Sequence, residues 1–152
     1  LTGAQTVMRR AVAADLSRIV AMLSDDPLGQ GRESGLVDAT YRNAFESIDR
    51  DPSHYLAVAD RGGEVIGTLQ LSFLPGLARH GMWRAQIEAV RVAREARGEG
   101  IGRFMFDWAI DKARAQGCGL VQLTSDAERT GAHEFYDRLG FKPSHVGYKL
   151  QL

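Results

Sequence analysis

Cysteine is almost missing from the chain: Cys118 is the single one among 152 residues. One thiol excludes an internal disulfide, and no Cys/His spacing of the metal-binding kind accompanies it, so no metal site is expected. Flanked by Gly117 and Gly119 ahead of an apolar run, Cys118 reads as a small hydrophobe at a strand start rather than a nucleophile. An excess of one charge sign is also lacking, because 19 Lys and Arg balance 19 Asp and Glu. Nucleic-acid binders usually carry a basic surplus or stripe, so no nucleic-acid partner is expected. Long hydrophobic runs are absent too. None approaches the ~18 residues of a membrane span, and no membrane association is expected. The stretch from Leu1 to Val7 has neither the basic flank nor the apolar core of a secretory signal. It is expected to be a disordered or expression-derived leader, with a single domain covering residues 8–152. A reducing, cytoplasmic setting fits these features.

What is present suffices for one hydrophobic core, with 44% apolar and 25% charged residues. Arg9 to Val12 is a short candidate strand. Leu16, Ile19, Val20 and Leu23 then recur at i, i+3, i+4 and i+7, the stripe of an amphipathic helix. The run from Asp25 through Pro27 to Gly31 is turn chemistry and predicts a loop. A second helix is expected over Val37 to Ile48. The period then changes to that of strands: Tyr55 to Ala59, Glu64 to Phe73 and Met82 to Val92, separated by Gly- and Pro-containing turns. Such spacing predicts an antiparallel meander. After Gly102 the helical period returns, with Ile101, Phe104, Met105 and Trp108 on one face. Leu120 to Thr124 is a further strand, Ala132 to Leu139 a short helix, and Phe141 onward one or two closing strands.

The segment Arg97-Gly98-Glu99-Gly100-Ile101-Gly102-Arg103 carries the most chemistry. The first N–H groups of a helix have no intrahelical partner, and the dipole makes that end partly positive. Glycines there let a ligand approach the backbone, which suits a pyrophosphate. Arg94, Arg97 and Arg103 add charge beside it. A Walker-type loop would need Lys and Ser or Thr after the glycine, but Arg103 and Phe104 follow Gly102. A dinucleotide fingerprint beginning at Gly98 would need glycine where Arg103 stands. Taken alone, the glycines also fit a tight turn and cap with no ligand.

Arg97-x-x-Gly100-x-Gly102, five residues after the strand residue Val92, resembles the acyl-CoA-binding motif of the GCN5-related N-acetyltransferase (GNAT) superfamily. A second match lies downstream. Ala132 through Phe135-Tyr136 to Gly140-Phe141 is similar to that family's A-x-x-F-Y-x-x-x-G-F segment. The order of elements agrees from Arg9 to the C-terminus. The resemblance implies a mixed α/β (α+β) fold with a central, mostly antiparallel sheet of six to seven strands and about four helices. The fourth and fifth strands would splay into a V-shaped cleft.

It also implies an acetyl-CoA-dependent N-acetyltransferase that moves an acetyl group to a primary amine, without a metal. The pantetheine arm would pair with backbone groups near Val90 and Val92. The pyrophosphate would rest on amides from Arg97, Gly98, Glu99, Gly100, Ile101, Gly102 and Arg103. Glu88 is the candidate base, since the arriving ammonium must lose a proton. If no bulge intervenes it shares a face with Gln86, Val90 and Val92, and a carboxylate in an apolar cleft is a stronger base. An exposed strand glutamate without a role is the plainer reading, with solvent then serving as base. Tyr136 is the candidate acid for the departing thiolate, though it also falls on an apolar helix stripe and can simply pack there. The family commonly has Asn where this chain has Arg129. The loop from Asp25 to Gly35 would line the acceptor site, and the Leu77 to Trp83 turn offers a second wall. His54 and His145 are lone histidines. Tyr148 to Leu152 can pair between subunits, which allows a homodimer. A non-catalytic acyl-CoA sensor or scaffold is the rival function. The acceptor amine, a small molecule or peptide, leaves no motif.

Overall fold

Local sequence sets most element boundaries. The computed structural model describes residues 3–152. Strand β1 (Thr6–Arg10) is followed by a short 3-10 turn at Ala13–Asp15 and helix α1 (Leu16–Ser24). Asp15 accepts the Val12 N–H at 2.8 Å and fixes the turn. A one-turn helix α2 (Pro27–Gln30) comes next, then α3 (Ala39–Arg50), where the Asp38 carboxylate caps the Thr40 and Tyr41 amides. Strands β2 (His54–Arg61), β3 (Glu64–Leu74) and β4 (Arg84–Val92) form the expected antiparallel meander. The β3–β4 connection holds a one-turn segment α4 (Ala78–Gly81) in which Arg79 and His80 take left-handed φ of 56° and 61°. Helix α5 (Ile101–Ala115), strand β5 (Leu120–Gln122) and helix α6 (Thr130–Arg138) complete the elements. The end of α6 is a Schellman motif: Gly140, at φ +93°, donates to Asp137, and Phe141 donates to Tyr136.

One sheet of order β1-β2-β3-β4-β5 runs through the molecule, antiparallel except for the parallel β4–β5 pair. Its two faces are covered by different helices. Leu69, Leu71, Ala85 and Ile87 pack against Met105, Phe106 and Ala109 of α5. Val58 and Val65 pack against Ile19 and Met22 of α1, with Phe45 of α3 beside them. Phe106 is fully buried and meets Phe135, Tyr136 and Phe141 edge-on or tilted, with ring centroids 5.5, 5.7 and 6.0 Å away. Burying such a ring contributes roughly 2–3 kcal/mol, and it seats α6 against the start of α5.

Several expectations are corrected. Five strands form the sheet among the described residues, not six or seven. Phe141 onward adds none: residues 141–152 have no regular structure, and Val146, Tyr148, Leu150 and Leu152 are exposed. Six helices replace the expected four, and the additional two, α2 and α4, are single turns. The predicted loop after α1 becomes α2 because the Asp26 carboxylate caps it, accepting the Gly29 N–H. The domain was expected to begin at residue 8, but Thr6 and Val7 already pair with Arg61 and Asp60 in β1–β2. Leu1 and Thr2, part of the expected leader, lie outside the described residues.

Candidate active site

Strand β4 has two properties that its sequence hides. Its pairing with β5 covers only Arg84 to Gln86 opposite Leu120 to Gln122, although β4 continues to Val92. From Ile87 onward the two strands part, leaving β4 backbone facing an opening. The second property is a bulge. Gln70 of β3 opposes Glu88, yet Thr68 opposes Arg91, so Ala89 and Val90 together face Leu69, and Ala89 takes φ +53°. Directly opposed residues share a face. Glu88 and Arg91 therefore lie on the α1/α3 face with Gln70 and Thr68, whereas Val92 lies on the α5 face with Gly67. Val90 packs with the α5-side core as well. The shared face predicted for Glu88, Val90 and Val92 is thus broken by the bulge.

Glu88 is exposed rather than enclosed by apolar walls. It ends a polar chain across the last paired position of the split: Gln122 Nε2 donates to Gln86 Oε1 at 2.9 Å, and Gln86 Nε2 donates to Glu88 Oε1 at 3.0 Å. On the same face a cavity of about 160 Å³ opens under α1 and α3, bounded by Tyr41, Phe45, Gln70 and Ala89.

Across the opening, Tyr136 is half-buried within the aromatic cluster. Burial pushes its hydroxyl above the usual tyrosine value, against the opposing pull of Arg129 and Arg91. It stays protonated at neutral pH and able to donate.

The glycine segment starts α5 as expected. Gly98 and Gly100 have φ of +81° and +80°, which a side chain would strain, and a Cβ at either would point into open space. Gly100 caps the helix with no side chain, and the first intrahelical bond is Phe104 N–H to the Gly100 carbonyl at 3.1 Å. The amides of Ile101, Gly102 and Arg103 precede that bond. Around them, Ile101 is buried, Glu99 accepts from Arg61 at 2.6 Å, and Arg103 pairs with Asp107 at 3.2 Å. Arg97 donates Nε to the Val92 carbonyl at 3.2 Å, and Arg91 Nη1 donates to that of Val90 at 2.9 Å. Both carbonyls assigned to a pantetheine arm are thus met by guanidinium groups here. Gly102 approaches Phe135 so closely that a Cβ would sit 3.5 Å from its ring, which joins the glycine start to α6.

A helix opened by bare glycines thus lies beside a parted sheet, and residues 16–141 match the acetyltransferase (GNAT) family. The chain belongs to that family. It is an N-acetyltransferase, and GNAT acetyltransferases generally use acetyl-CoA. Aminoalkylphosphonate N-acetyltransferase of Salmonella typhimurium is 35% identical over 112 residues, covering 74% of this chain and 72% of that protein. L-methionine sulfoximine/L-methionine sulfone acetyltransferase of Pseudomonas paraeruginosa is 29% identical, covering 94% of this chain and 86% of that protein. Among solved structures, a transcriptional regulator from Bacillus halodurans C-125 is 44% identical with a TM-score of 0.95, covering 97% of this chain and all of that one.

Within this GNAT fold the structure adds residues that sequence reasoning did not assemble. Asp26 meets Arg91 at 3.0 Å, joining the start of α2 to the end of β4. Burial works to raise the Asp26 carboxyl, but the Gly29 amide and the charges of Arg91, Arg129 and Arg32 hold it below the carboxylate norm. No motif links these positions, and the face that Arg91 presents depends on the bulge at Ala89 and Val90. Asp25, expected on the acceptor side, instead pairs with Arg94 at 2.6 Å and Arg97 at 3.6 Å. It thereby ties the end of α1 to the segment preceding α5. Burial also raises the half-buried Cys118 thiol, which fits its reading as an inert packing group. No helix among the described residues is long and apolar enough to cross a membrane, and none of their side chains group as a metal site.

Proposed function

We propose that the protein transfers the acetyl group of acetyl-CoA to the primary amine of a small acceptor by direct attack. The observation that carries this reading is the side-chain-free start of α5 at Gly100, set beside the parting of β4 from β5. Amides from Gly98 to Arg103 would hold the pyrophosphate, with Arg97 released from Val92 to join them. The pantetheine arm would lie along β4 at Val90 and Val92, taking over the carbonyls that Arg91 and Arg97 now occupy.

Glu88 would take the ammonium proton, directly or through one water, since it is exposed at the apex of the split. The amine nitrogen then bonds to the thioester carbon and gives up its second proton to solvent, the carbon–sulfur bond breaks, and Tyr136 gives its proton to the leaving thiolate and is reprotonated from solvent. The acceptors named for two relatives, an aminoalkylphosphonate and L-methionine sulfoximine or sulfone, support a small-molecule amine here. Thiol release from acetyl-CoA with a panel of amines tests the reading. Amine-dependent release is expected; tight coenzyme binding without turnover on any amine would replace it with a sensor function.

The C-terminal segment supports a homodimer, because its alternating Val146, Tyr148, Leu150 and Leu152 lie exposed along chain that makes no strand of its own. Light scattering is expected to read a dimer that truncation after Ser144 dissociates. A monomeric full chain removes this part.

A further inference from the structure

We infer that Arg32, Arg91 and Arg129 form a subsite for an anionic group on the acceptor, so that the substrate is a small amine bearing a phosphonate, phosphate or carboxylate. This rests on the acetyl-transfer reading and names its substrate class.

Charge balance is the first support. Arg91 meets the Asp26 carboxylate at 3.0 Å, and the charges of Arg129 and Arg32 act on the same carboxylate. Among the described residues Arg129 has neither an ion pair nor a side-chain hydrogen bond, and Arg32 donates only to the Leu28 carbonyl at 3.0 Å. Arg91 is the most enclosed, with its side chain 12% exposed against 18% for Asp26. A second support is unmet hydrogen-bonding capacity. The pair stands 3.0 Å apart, but misaligned: Arg91 Nε and Asp26 Oδ2 are buried without a hydrogen-bond partner. The remaining such atom among the described residues is Ser125 Oγ, three residues beyond β5 on the segment leading to Arg129. Buried polar atoms are ordinarily paired, and leaving one unmet costs roughly 1–3 kcal/mol, more when charged. Burial pushes the Arg91 guanidinium below its usual value, Asp26 opposes this, and Arg129 and Arg32 add to it. An oxyanion offers acceptors to the guanidinium forks and offsets the mutual repulsion of the three cations, while Asp26 stays the ion-pair partner of Arg91.

Position is the third support. Arg91 follows the bulge that turns it to the Glu88 face, and Arg91 and Arg129 both lie near enough to Tyr136 to act on its hydroxyl. An anion held there puts its own molecule beside the proposed acid and base. Arg94 and Arg97, the cations proposed for the coenzyme phosphates, pair with the neighbouring Asp25 and not with Asp26.

Calorimetry and kinetics test the subsite separately from the chemistry. Methylphosphonate titrated into protein saturated with CoA is expected to bind, with acetate weaker because three guanidinium groups favour a dianion. Acetate binding tighter than methylphosphonate would assign the subsite to carboxylates. Arg129→Gln and Arg32→Gln change exposed side chains; each is expected to weaken methylphosphonate at least tenfold and leave CoA affinity unchanged. In turnover, 2-aminoethylphosphonate should exceed ethanolamine at least tenfold in kcat/KM, and Arg129→Gln should collapse that ratio towards one. No heat with either anion, or a loss of CoA affinity matching that of methylphosphonate, overturns the inference. Equal rates on the two amines overturn it while acetyl transfer stands. Anion binding with no acetylation of any amine does the reverse, removing the transfer reading and keeping the subsite.

Discussion

The two ends of the cleft are built by different means. At the proposed coenzyme end, seven consecutive residues from Arg97 to Arg103 would supply the grip, and they would do so with backbone: two left-handed glycines and the start of α5, which no side chain caps. At the acceptor end, Glu88, Arg91, Asp26, Arg32, Arg129 and Tyr136 come from β4, the α2 region and α6, and they act with side chains. A contiguous backbone device tolerates change in its surroundings, whereas a composite of side chains shifts whenever one of its segments moves. Conserving the coenzyme grip while varying the acceptor is therefore physically easy in such a fold.

The comparison can be sharpened by substitution. Tyr136→Phe leaves the ring packed on Phe106 and removes only the proton donor, so kcat should fall ~100-fold with CoA affinity unchanged; stopped turnover assays and calorimetry read the two. Because burial raises the Tyr136 hydroxyl and the donor must be protonated to act, the alkaline limb of the rate profile should lie above the usual tyrosine range. Arg129→Gln, which removes a charge opposing that rise, should move the limb higher still. Gly100→Val should act in the opposite sense, on affinity. Forcing a branched side chain to φ +80° costs about 2 kcal/mol, or ~30-fold weaker CoA binding if the strain falls on the binding-competent loop. Circular dichroism checks that α5 remains. Glu88→Gln should lower kcat about tenfold without touching coenzyme affinity; an unaltered rate assigns the proton to solvent.

Arg9 provides a control remote from both ends. It bridges Asp15 and Asp60 at 2.8 Å each, and the Arg9 hydrogen bond, more than any other contact, lowers the Asp15 carboxyl. A depressed carboxyl contributes stability that is present above its unfolded pKa and lost as pH falls through the folded one. Asp15→Asn should cost about 2 kcal/mol at neutral pH, flatten the acid side of the stability curve, and leave kcat unchanged. Thermal melts from pH 3 to 7 measure this.

Legibility followed the range of the interactions. The meander, α1, α3 and α5 were readable because periodicity and the glycine- and proline-containing turns act within a few residues. The closing strands expected from Phe141 onward did not form: the alternation of Val146, Tyr148, Leu150 and Leu152 provides only the pattern of a strand, and the partner must come from elsewhere. Glu88 was correctly placed on β4, yet its face depended on the bulge at Ala89 and Val90, which no residue type announces. Arg129 stood out as a departure from the family pattern, while its company of Arg91 and Arg32 did not.

By itself, the sequence determined the family, the order of the main elements and the glycine start of α5 proposed to hold the coenzyme, since these rest on local conformational preference and contiguous motif. Tertiary structure alone decided which face Glu88 and Arg91 present, where β4 leaves β5, and which charges surround Asp26. Those depend on register and on contacts between residues distant in the chain, such as Asp26 and Arg91, which stand 65 positions apart, and a linear reading carries no information about either.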